Sequence, residues 1–337
     1  MSTLKLVLVA SGLLFMIFAG GKSVSDSNRD DHQLSPSFYD ETCPRVSSIV
    51  RKIVRRVQYK THPRTISSLA RLHFHDCFVN GCDGSILLDN TEKIESEKEA
   101  LPNKNSLRGV EIIDEIKTAV EKACPATVSC ADILAMAAAH SVCLSGGPSW
   151  RVRLGRRDSR IANRSGANVA IPMGFDTLDV LKSKFSAVGL NHTIDLVSLS
   201  GAHTFGRAQC GIILPRLYNF SNTGVPDPML NPSFLPRLRR VCPRDGNGTT
   251  LANQDPTTPD TFDNNYFTVL KAKKGLLTSD QVLYSTPGAD TIEIVNKFSA
   301  SQTTFFKSFA QSMIKMGNIS PLTGTHGEIR LNCRRVN

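Results

Sequence analysis

Arg71-Leu-His-Phe-His-Asp-Cys-Phe-Val-Asn-Gly-Cys-Asp-Gly-Ser85 is the stretch around which the chain is organised. The apolar residues before it predict the end of an amphipathic helix that runs into a loop. On this helix Arg71 and His75 share a face with Phe74, whereas His73 points away. That face combines a permanent cation, a side chain that titrates near neutral pH and an apolar surface. Each feature alone is common in structural helices, but together with the loop they predict a functional site.

The loop after this helix has the composition of a calcium site. Carboxylates, hydroxyls and backbone carbonyls are the oxygen ligands that Ca²⁺ prefers. The loop offers such groups at Asp76, Val79, Gly81, Asp83 and Ser85. Two cysteines in the same stretch can close it as a disulfide. The plainer alternative is a polar turn, since Asp and Gly are common turn residues.

The chain begins with a segment typical of export. Residues 6–20 are an apolar run after a weakly basic start, which predicts a signal peptide within residues 1–32 rather than a membrane span. No later stretch is long enough to span a bilayer. The net charge of +10 over 337 residues survives removal of this segment. A nucleic-acid partner is not expected, because the chain is exported and no nucleic-acid module is visible, whereas an acidic polysaccharide is a candidate partner.

Cysteine and asparagine usage agree with secretion. Nine cysteines in an exported chain predict disulfides with one cysteine left over. The chain also contains five N-glycosylation sequons, at Asn163, Asn191, Asn219, Asn247 and Asn318. These features predict a secreted glycoprotein.

Helical periodicity dominates the rest of the chain, with no internal repeat and no alternation of strands and helices. We therefore predict an all-α fold in a single catalytic domain, residues 33–337. Residues 150–154 alternate and are the best candidate for a short strand. Ser129 and Asp176 are predicted helix caps, and a further helix is expected to start at Asn231.

A second histidine would by itself be read as a core residue, but its neighbours make it a candidate functional residue. His203 lies late in an apolar segment, residues 195–207, that is predicted to be helical. Thr204 follows it, and residues 255–263 form a second oxygen-rich loop of calcium type. Asp280 offers a carboxylate that can accept the ring N–H of a histidine.

Four motifs together resemble the secretory plant haem peroxidases of class III, over nearly the whole chain from Gln33 to Asn337. They are the opening stretch, Val128-Ser-Cys-Ala-Asp132, Leu199-Ser-Gly-Ala-His-Thr-Phe-Gly206 and Gly317-Asn-Ile-Ser-Pro-Leu-Thr-Gly324. The resemblance implies a two-lobed helical fold with haem b between the lobes and two calcium ions. It implies at most a short β element.

The resemblance also implies a role for each site residue. His203 would be the proximal iron ligand and Asp280 its hydrogen-bond acceptor. His75 would be the distal acid–base residue, Arg71 its electrostatic partner, and Asn103 the acceptor that orients His75, with Glu97 at the far end of that chain. Phe74 and Phe205 would contact haem, and Pro172 would lie at the mouth where reducing substrates bind.

Two ligand sets and four disulfides follow from the same resemblance. The distal calcium would take the loop ligands named above, and the proximal calcium would be held by Thr204, Asp255, Thr258, Thr261 and Asp263. The disulfides would be Cys43–Cys124, Cys77–Cys82, Cys130–Cys333 and Cys210–Cys242. Cys143 is left over, and we interpret it as a small buried apolar residue.

The implied activity is the hydrogen-peroxide-dependent oxidation of small phenolic donors through high-valent iron intermediates. We expect a monomer that is secreted to the cell wall space, with the vacuole less favoured. Leu101-Pro102 and Gly211-Ile212 stand where some members carry aromatic or basic residues, so the resemblance does not extend to a preference for aromatic acids and the donor stays open.

Parts of the sequence are also compatible with two other functions. One is a non-enzymatic, calcium-binding glycoprotein that binds acidic cell-wall polymer. The other is a hydrolase with zinc on His73 and His75, which is disfavoured because no His-Glu-x-x-His motif is present.

Overall fold

The structure is a computed structural model that describes residues 34–60 and 64–337, so the predicted signal peptide lies outside the described residues. The described residues form thirteen α-helices joined by loops and short 3₁₀ turns. The first four are α1 (Val46–Lys60), α2 (Arg64–Cys77), α3 (Val110–Ala123) and α4 (Cys130–Leu144). The next five are α5 (Arg164–Ala170), α6 (Leu178–Ala187), α7 (Thr193–Ser200), α8 (Cys210–Tyr218) and α9 (Leu235–Val241).

Four helices complete the chain, and two short strands form a small sheet. The helices are α10 (Asn265–Lys271), α11 (Thr278–Ser285), α12 (Thr291–Ala300) and α13 (Gln302–Met316). Two three-residue strands, β1 (Arg207–Gln209) and β2 (Leu251–Asn253), pair antiparallel with Ala208 opposite Ala252. The prediction of an all-α fold with a short β element is confirmed.

Helices α1–α4 enclose one apolar core. In α1 the apolar side chains recur at helical spacing, and Val50 and Val54 are fully buried while Arg51 and Arg55 are exposed. Burying one such valine side chain contributes roughly 1.5–3 kcal/mol, so this face fixes α1 against α3 and α4.

Helix α2 lies between this core and a second one. Ile66, Leu69 and Leu72 pack into the core of α1–α4. Ala70 and Cys77 belong to the second core, which α6, α7 and α10–α13 build around a group of phenylalanines. Residues 71–76 therefore lie where two separate cores meet, which holds their side chains between the two halves of the fold.

The prediction of a strand at residues 150–154 is wrong. This segment forms only an isolated bridge, between Ser35 and Leu154. Alternation indicates an extended segment, but a strand also needs a partner along its length. The paired strands of this fold are β1 and β2. Next to their last residue pair, the Cys210 N–H forms one more backbone hydrogen bond, to Thr250 O at 2.7 Å.

Some helix ends also differ from expectation. The Ser129 hydroxyl caps α4 as predicted, because it accepts a hydrogen bond from the Asp132 N–H at 3.1 Å. The cap of α6 is Thr177 and not Asp176, whose carboxylate instead pairs with Lys184 at 2.8 Å. Residues 195–207 are not one helix, since α7 ends at Ser200 and a 3₁₀ turn (Gly201–Thr204) follows.

Two further sequence-based expectations concern α9 and the cysteines. Helix α9 starts at Leu235, four residues after the expected Asn231. All four expected disulfides are present, and Cys143 is free. Cys143 is half-buried rather than buried as expected. None of the described helices is long and apolar enough to cross a membrane.

Candidate active site

Helix α2 presents His75 with one ring nitrogen already bonded. His75 is buried, and its Nδ1 lies 2.5 Å from Asn103 Oδ1. The Asn103 amide is oriented by its Nδ2, which donates to the backbone carbonyl of Glu97 at 2.8 Å. Because Oδ1 can only accept, Nδ1 of His75 carries the proton and Nε2 keeps a free lone pair. No described residue forms a hydrogen bond with Nε2, so this nitrogen is available as a base.

The surroundings of His75 keep it neutral. Burial lowers the pKa of His75 well below its usual value, and the positive charge of Arg71 lowers it further. The hydrogen bond to Asn103 opposes these effects but does not outweigh them. A neutral imidazole can take up a proton, which is the first requirement of a general base.

Arg71 is held by the same segment that orients His75. Its guanidinium donates from Nη1 to Ser106 O at 3.1 Å and from Nη2 to Pro102 O at 2.8 Å and Ser106 Oγ at 3.1 Å. Burial lowers the pKa of Arg71 to about 10, so it stays a cation at neutral pH. Residues 102–106 thus fix both the cation and, through Asn103, the base.

His203 shows the complementary arrangement. It lies in the 3₁₀ turn after α7, and its Nδ1 is 2.7 Å from Asp280 Oδ1 in the first turn of α11. The His203 side chain is 37% exposed although Asp280 is buried. Its Nε2 forms no hydrogen bond with any described residue. This nitrogen is therefore available to a ligand, and its partner fixes the tautomer.

Asp280 is a buried carboxylate with several donors. Tyr266 Oη donates to Oδ1 at 3.0 Å and the Leu277 N–H donates to Oδ2 at 2.8 Å. Burial alone would raise the pKa of Asp280, but the charge of His203 and these hydrogen bonds hold it below its usual value. The Asp280 carboxylate is therefore ionised and can strengthen the electron donation of His203.

His75 and His203 lie close enough together to interact electrostatically. A positive charge on His203 would contribute to lowering the pKa of His75. Phe74 and Ala202, next to these histidines in sequence, are half-buried apolar residues at the edge of the second core. Phe205 is buried edge-to-face against Phe262, with ring centroids 5.2 Å apart. Two histidines with free Nε2 atoms and apolar neighbours are a set of residues that fits a haem.

The predicted distal calcium ligands come together around the end of α2. Asp76, Asp83 and Ser85 are buried, and burial raises the pKa of both carboxyl groups. The Ser85 hydroxyl lies near Asp83 but forms no well-aligned hydrogen bond. The carbonyls of Val79 and Gly81 accept no hydrogen bond from the described residues. Two buried acids with under-used oxygens beside them fit a divalent cation.

Gly81 is required by the geometry of this loop. Its φ is +116°, and a Cβ at this position would lie 2.4 Å from the carbonyl oxygen of Ser320. Both the positive φ and the close carbonyl oxygen therefore exclude a side chain at this position. The Cys77–Cys82 disulfide closes the same loop.

The second predicted calcium loop is also assembled. Thr204 Oγ1 donates to Asp263 Oδ1 at 2.8 Å, which joins the turn of His203 to the loop. Asp255 is buried and accepts from Thr258 Oγ1 at 3.1 Å. Thr261 is exposed, and its N–H donates to Thr258 O at 3.1 Å. Asn265 links these two groups, because its N–H donates to Asp263 Oδ1 at 2.8 Å and its Nδ2 donates to Asp255 Oδ2 at 2.8 Å.

The geometry gives no support to the zinc alternative. Among the described residues, His73, Cys77 and Cys82 bring three possible ligand atoms within 4.8 Å of one another. The two sulfurs are joined in a disulfide and offer no thiolate. His75 is not part of this cluster. His73 is buried rather than open to a metal in solution.

Sequence reasoning missed two residues of this site. Ser106 binds Arg71, and Tyr266 binds the carboxylate that holds His203. Both contacts join separate elements of the fold. No local pattern marks either residue, so only the packing of α2 against residues 102–106, and of α10 against α11, reveals them.

Comparison with known proteins agrees with this site. The model of the peroxidase family matches residues 46–301. Peroxidase 15 of Ipomoea batatas is 60% identical over 331 residues, which cover 98% of each chain. Peroxidase 23 of Arabidopsis thaliana is 57% identical over 92% of this chain and 89% of its own. A peroxidase of Armoracia rusticana is 57% identical over 90% of this chain and 92% of its own.

The fold and the histidine pair thus define a haem-dependent oxidoreductase. The chain belongs to the peroxidase family, and within it to the secretory plant haem peroxidases of class III. It is an enzyme whose activity depends on hydrogen peroxide.

Proposed function

We propose that this peroxidase binds one haem b between His203 and His75, binds two calcium ions, and oxidises small phenolic donors outside the cell. The observation that carries the proposal is the pairing of two histidines that each have Nδ1 bonded, to Asp280 and Asn103, and Nε2 free. His203 Nε2 would bind the iron, and His75 Nε2 would serve as the base for peroxide rather than as a second ligand. Phe74 and Phe205 would be apolar neighbours of the haem.

Haem, when bound, supplies iron that takes two oxidising equivalents from hydrogen peroxide and returns them to donors one at a time. The side chains of this protein handle the proton and the charge. His75 Nε2 takes the proton from one oxygen of hydrogen peroxide and delivers it to the other oxygen, which leaves as water when the O–O bond breaks. Arg71 places a cation next to the charge that develops on the departing oxygen.

The remaining site residues position these groups. Asn103 holds the Nδ1 proton of His75 and so keeps Nε2 unprotonated. Asp280 holds the Nδ1 proton of His203 and increases its basicity toward iron. Glu97 supports Asn103 through its backbone carbonyl, and its carboxylate accepts the N–H of Asn163 at 2.9 Å.

The donor site proposed at Pro172 lies in residues 171–175, whose side chains are uncharged, next to the ion pair of Asp176 with Lys184. Pro172 is half-buried, and Phe175 beside it is exposed. Ile212 reaches the same segment, because a Cβ at Gly174 would lie 3.4 Å from Ile212 Cγ1. Leu101, which is 72% exposed, is tied to α5 by its N–H, which donates to Asn168. Apolar surfaces of this kind favour neutral phenols over phenolic acids.

We further propose that the protein is secreted to the cell wall space. It would be a monomer with one catalytic domain, residues 33–337. Four disulfides suit an oxidising compartment. The charge of +10 favours an acidic wall polysaccharide as a partner. The non-enzymatic alternative has no support beyond this charge, and the membership of the peroxidase family argues against it.

A visible absorption spectrum followed by peroxide titration tests the proposal. We expect a haem protein whose resting iron lacks a strong sixth ligand and that oxidises a panel of phenols, neutral ones fastest. A low-spin spectrum with two histidine ligands would contradict the placement of His75. Purified protein that takes up no haem would contradict the proposed function as a whole.

A further inference from the structure

We propose that an exposed basic surface on α9 and on the end of α10 binds an acidic polysaccharide, a polymer of uronic acid residues. The proposal rests on the secretion proposed above but not on the assignment of the catalytic residues. We call this region the α9–α10 basic surface. It is defined by six cationic residues: Arg237, Arg240, Arg244, Lys271, Lys273 and Lys274.

The two segments that carry these residues lie against each other. The Asn231 N–H donates to Lys273 O at 2.8 Å, and Asn231 Nδ2 donates to Ala272 O at 3.0 Å. Residues 228–244 and 264–279 contain no glutamate and no aspartate. A large part of the net charge of +10 is therefore gathered on one region.

The cations of this surface are exposed and lack acidic partners. Five of the six residues are exposed and Lys274 is half-buried. None of the six forms an ion pair with any described residue. A group of unpaired like charges repels itself in the free protein, and an added polyanion relieves this repulsion.

The acidic residues that border the two segments remove little of this charge. Asp227 is buried and paired with Arg216, and Asp280 is buried beneath His203. Asp245 is exposed and follows Arg244, so it weakens the positive field at that end of the surface. Arg240 and the three lysines have no acidic residue next to them in the sequence.

Helix α1 carries a comparable number of cations, but its charge is compensated nearby. It packs against α3, which contains four acidic residues, Glu111, Asp114, Glu115 and Glu121. Arg56 of α1 forms an ion pair with Glu115. Helix α10 likewise packs against α12, which carries the single acidic residue Glu293, so α1 has more acidic residues on its neighbouring helix and serves as the matched comparison.

The α9–α10 basic surface rests on a rigid support. The Cys210–Cys242 disulfide joins α8 to the end of α9. Tyr218 Oη donates to Cys242 O at 3.0 Å, and the guanidinium of Arg244 lies 4.8 Å from the centroid of the Tyr218 ring. Cations that are already held in place lose less conformational entropy when they bind a partner.

Uronic acid polymers match this surface in chemistry and in location. They carry one carboxylate per sugar along an extended chain, and several weak contacts with arginine and lysine add up over such a chain. A nucleic acid offers the same sign of charge, but a secreted protein does not meet it as its normal partner. Polygalacturonate is therefore the appropriate probe, and duplex DNA serves as the competing one.

Two glycosylated, haem-loaded variants with equal net charge test the proposal. The first replaces Arg240, Lys271, Lys273 and Lys274 by Gln, because the side chains of these four form no hydrogen bond with any described residue. The matched control replaces Arg45, Arg51, Lys52 and Arg55 of the α1 region by Gln. Dissociation constants for polygalacturonate and for fully methyl-esterified pectin are measured at low and at physiological salt, together with guaiacol oxidation.

We expect the first variant to bind polygalacturonate at least about tenfold more weakly than the wild type, and the control to change by less than about threefold. Binding by the wild type should weaken as salt rises and be absent for the esterified polymer. Equal losses in both variants would overturn the proposal in favour of a net-charge effect. No loss in either variant, or equal or tighter binding to duplex DNA, would also overturn it. Guaiacol oxidation should be unchanged throughout, so a failure of the catalytic proposal is detected separately.

Discussion

Asp280 Oδ1 accepts two hydrogen bonds, one from His203 Nδ1 at 2.7 Å and one from Tyr266 Oη at 3.0 Å. Because the two donors share one acceptor oxygen, each hydrogen bond weakens the other. Tyr266 is 1% exposed and packs edge-to-face near the His203 ring. The phenol therefore limits how strongly Asp280 can draw the proton of His203, and with it the electron donation of His203 toward iron.

Replacing Tyr266 by Phe tests this relationship. The ring and its packing are kept, and only the hydroxyl is lost. We expect the reduction potential of the haem iron to become more negative, because His203 becomes a stronger donor. We also expect the free energy of unfolding to fall by roughly 1.5–3 kcal/mol, the usual range for a hydrogen bond to a charged group. Redox titration gives the first value and denaturant unfolding the second. An unchanged or more positive potential would show that Tyr266 has only a packing role.

Calcium removal should slow peroxide activation before the protein unfolds. Asp76 directly follows His75, and without a cation the charge of Asp83 acts on the buried carboxyl group of Asp76, although the N–H groups of Gly84 and Ile86 donate to it. The Cys77–Cys82 disulfide closes only a short loop and stabilises it modestly. A displacement of His75 by about 1 Å would lower the rate by roughly a hundredfold.

Stopped-flow kinetics with and without a chelator measure the effect of calcium, and added calcium should restore the rate. If metal analysis finds no calcium, and prolonged chelation leaves the rate and the spectrum unchanged, the loop of residues 76–85 is a polar turn and not a metal site.

His140 should make the protein less stable in mild acid. Burial lowers the pKa of His140 to about 4, and the charge of Arg51 contributes in the same direction. The unfolded chain takes up the proton near pH 6.5 and the folded protein only near pH 4, so stability is lost as pH falls through this window. Below about pH 4 both states are protonated and the loss does not grow further.

The His140→Gln variant removes this contribution. As the pH is lowered from about 7 to about 4, the variant should lose less stability than the wild type. The difference between their free energies of unfolding should grow by on the order of 1 kcal/mol in favour of the variant. Urea unfolding at several pH values measures the difference. A difference that does not depend on pH would contradict the prediction.

The fold was largely predictable from the sequence where periodicity and capping agree. In α4 the Ser129 cap and the buried apolar run define the same start. The errors occurred where a local pattern needed a distant partner. Residues 150–154 alternate, but only Leu154 finds a bridging residue, Ser35. Thr177 rather than Asp176 caps α6, because Asp176 is engaged by Lys184.

The sequence predicted the part of the candidate site that lies on one helix better than the contacts between separate elements. Arg71, Phe74 and His75 lie on one helix, so their relation followed from helical spacing. The contacts of Ser106 with Arg71 and of Tyr266 with Asp280 depend on how separate elements pack. Spacing along the chain carries no information about such contacts, which explains why both residues were missed.

The assignment of His75 as the residue that moves the peroxide proton is the central claim, and stopped-flow mixing of the His75→Ala variant with hydrogen peroxide tests it most directly. General acid–base catalysis contributes about a hundredfold to ten-thousandfold, so we expect a loss within this range with haem still bound. The exposed residue His192 provides a control, since His192→Ala should react like the wild type. A loss of less than about tenfold in His75→Ala, with haem content unchanged, would contradict the assignment.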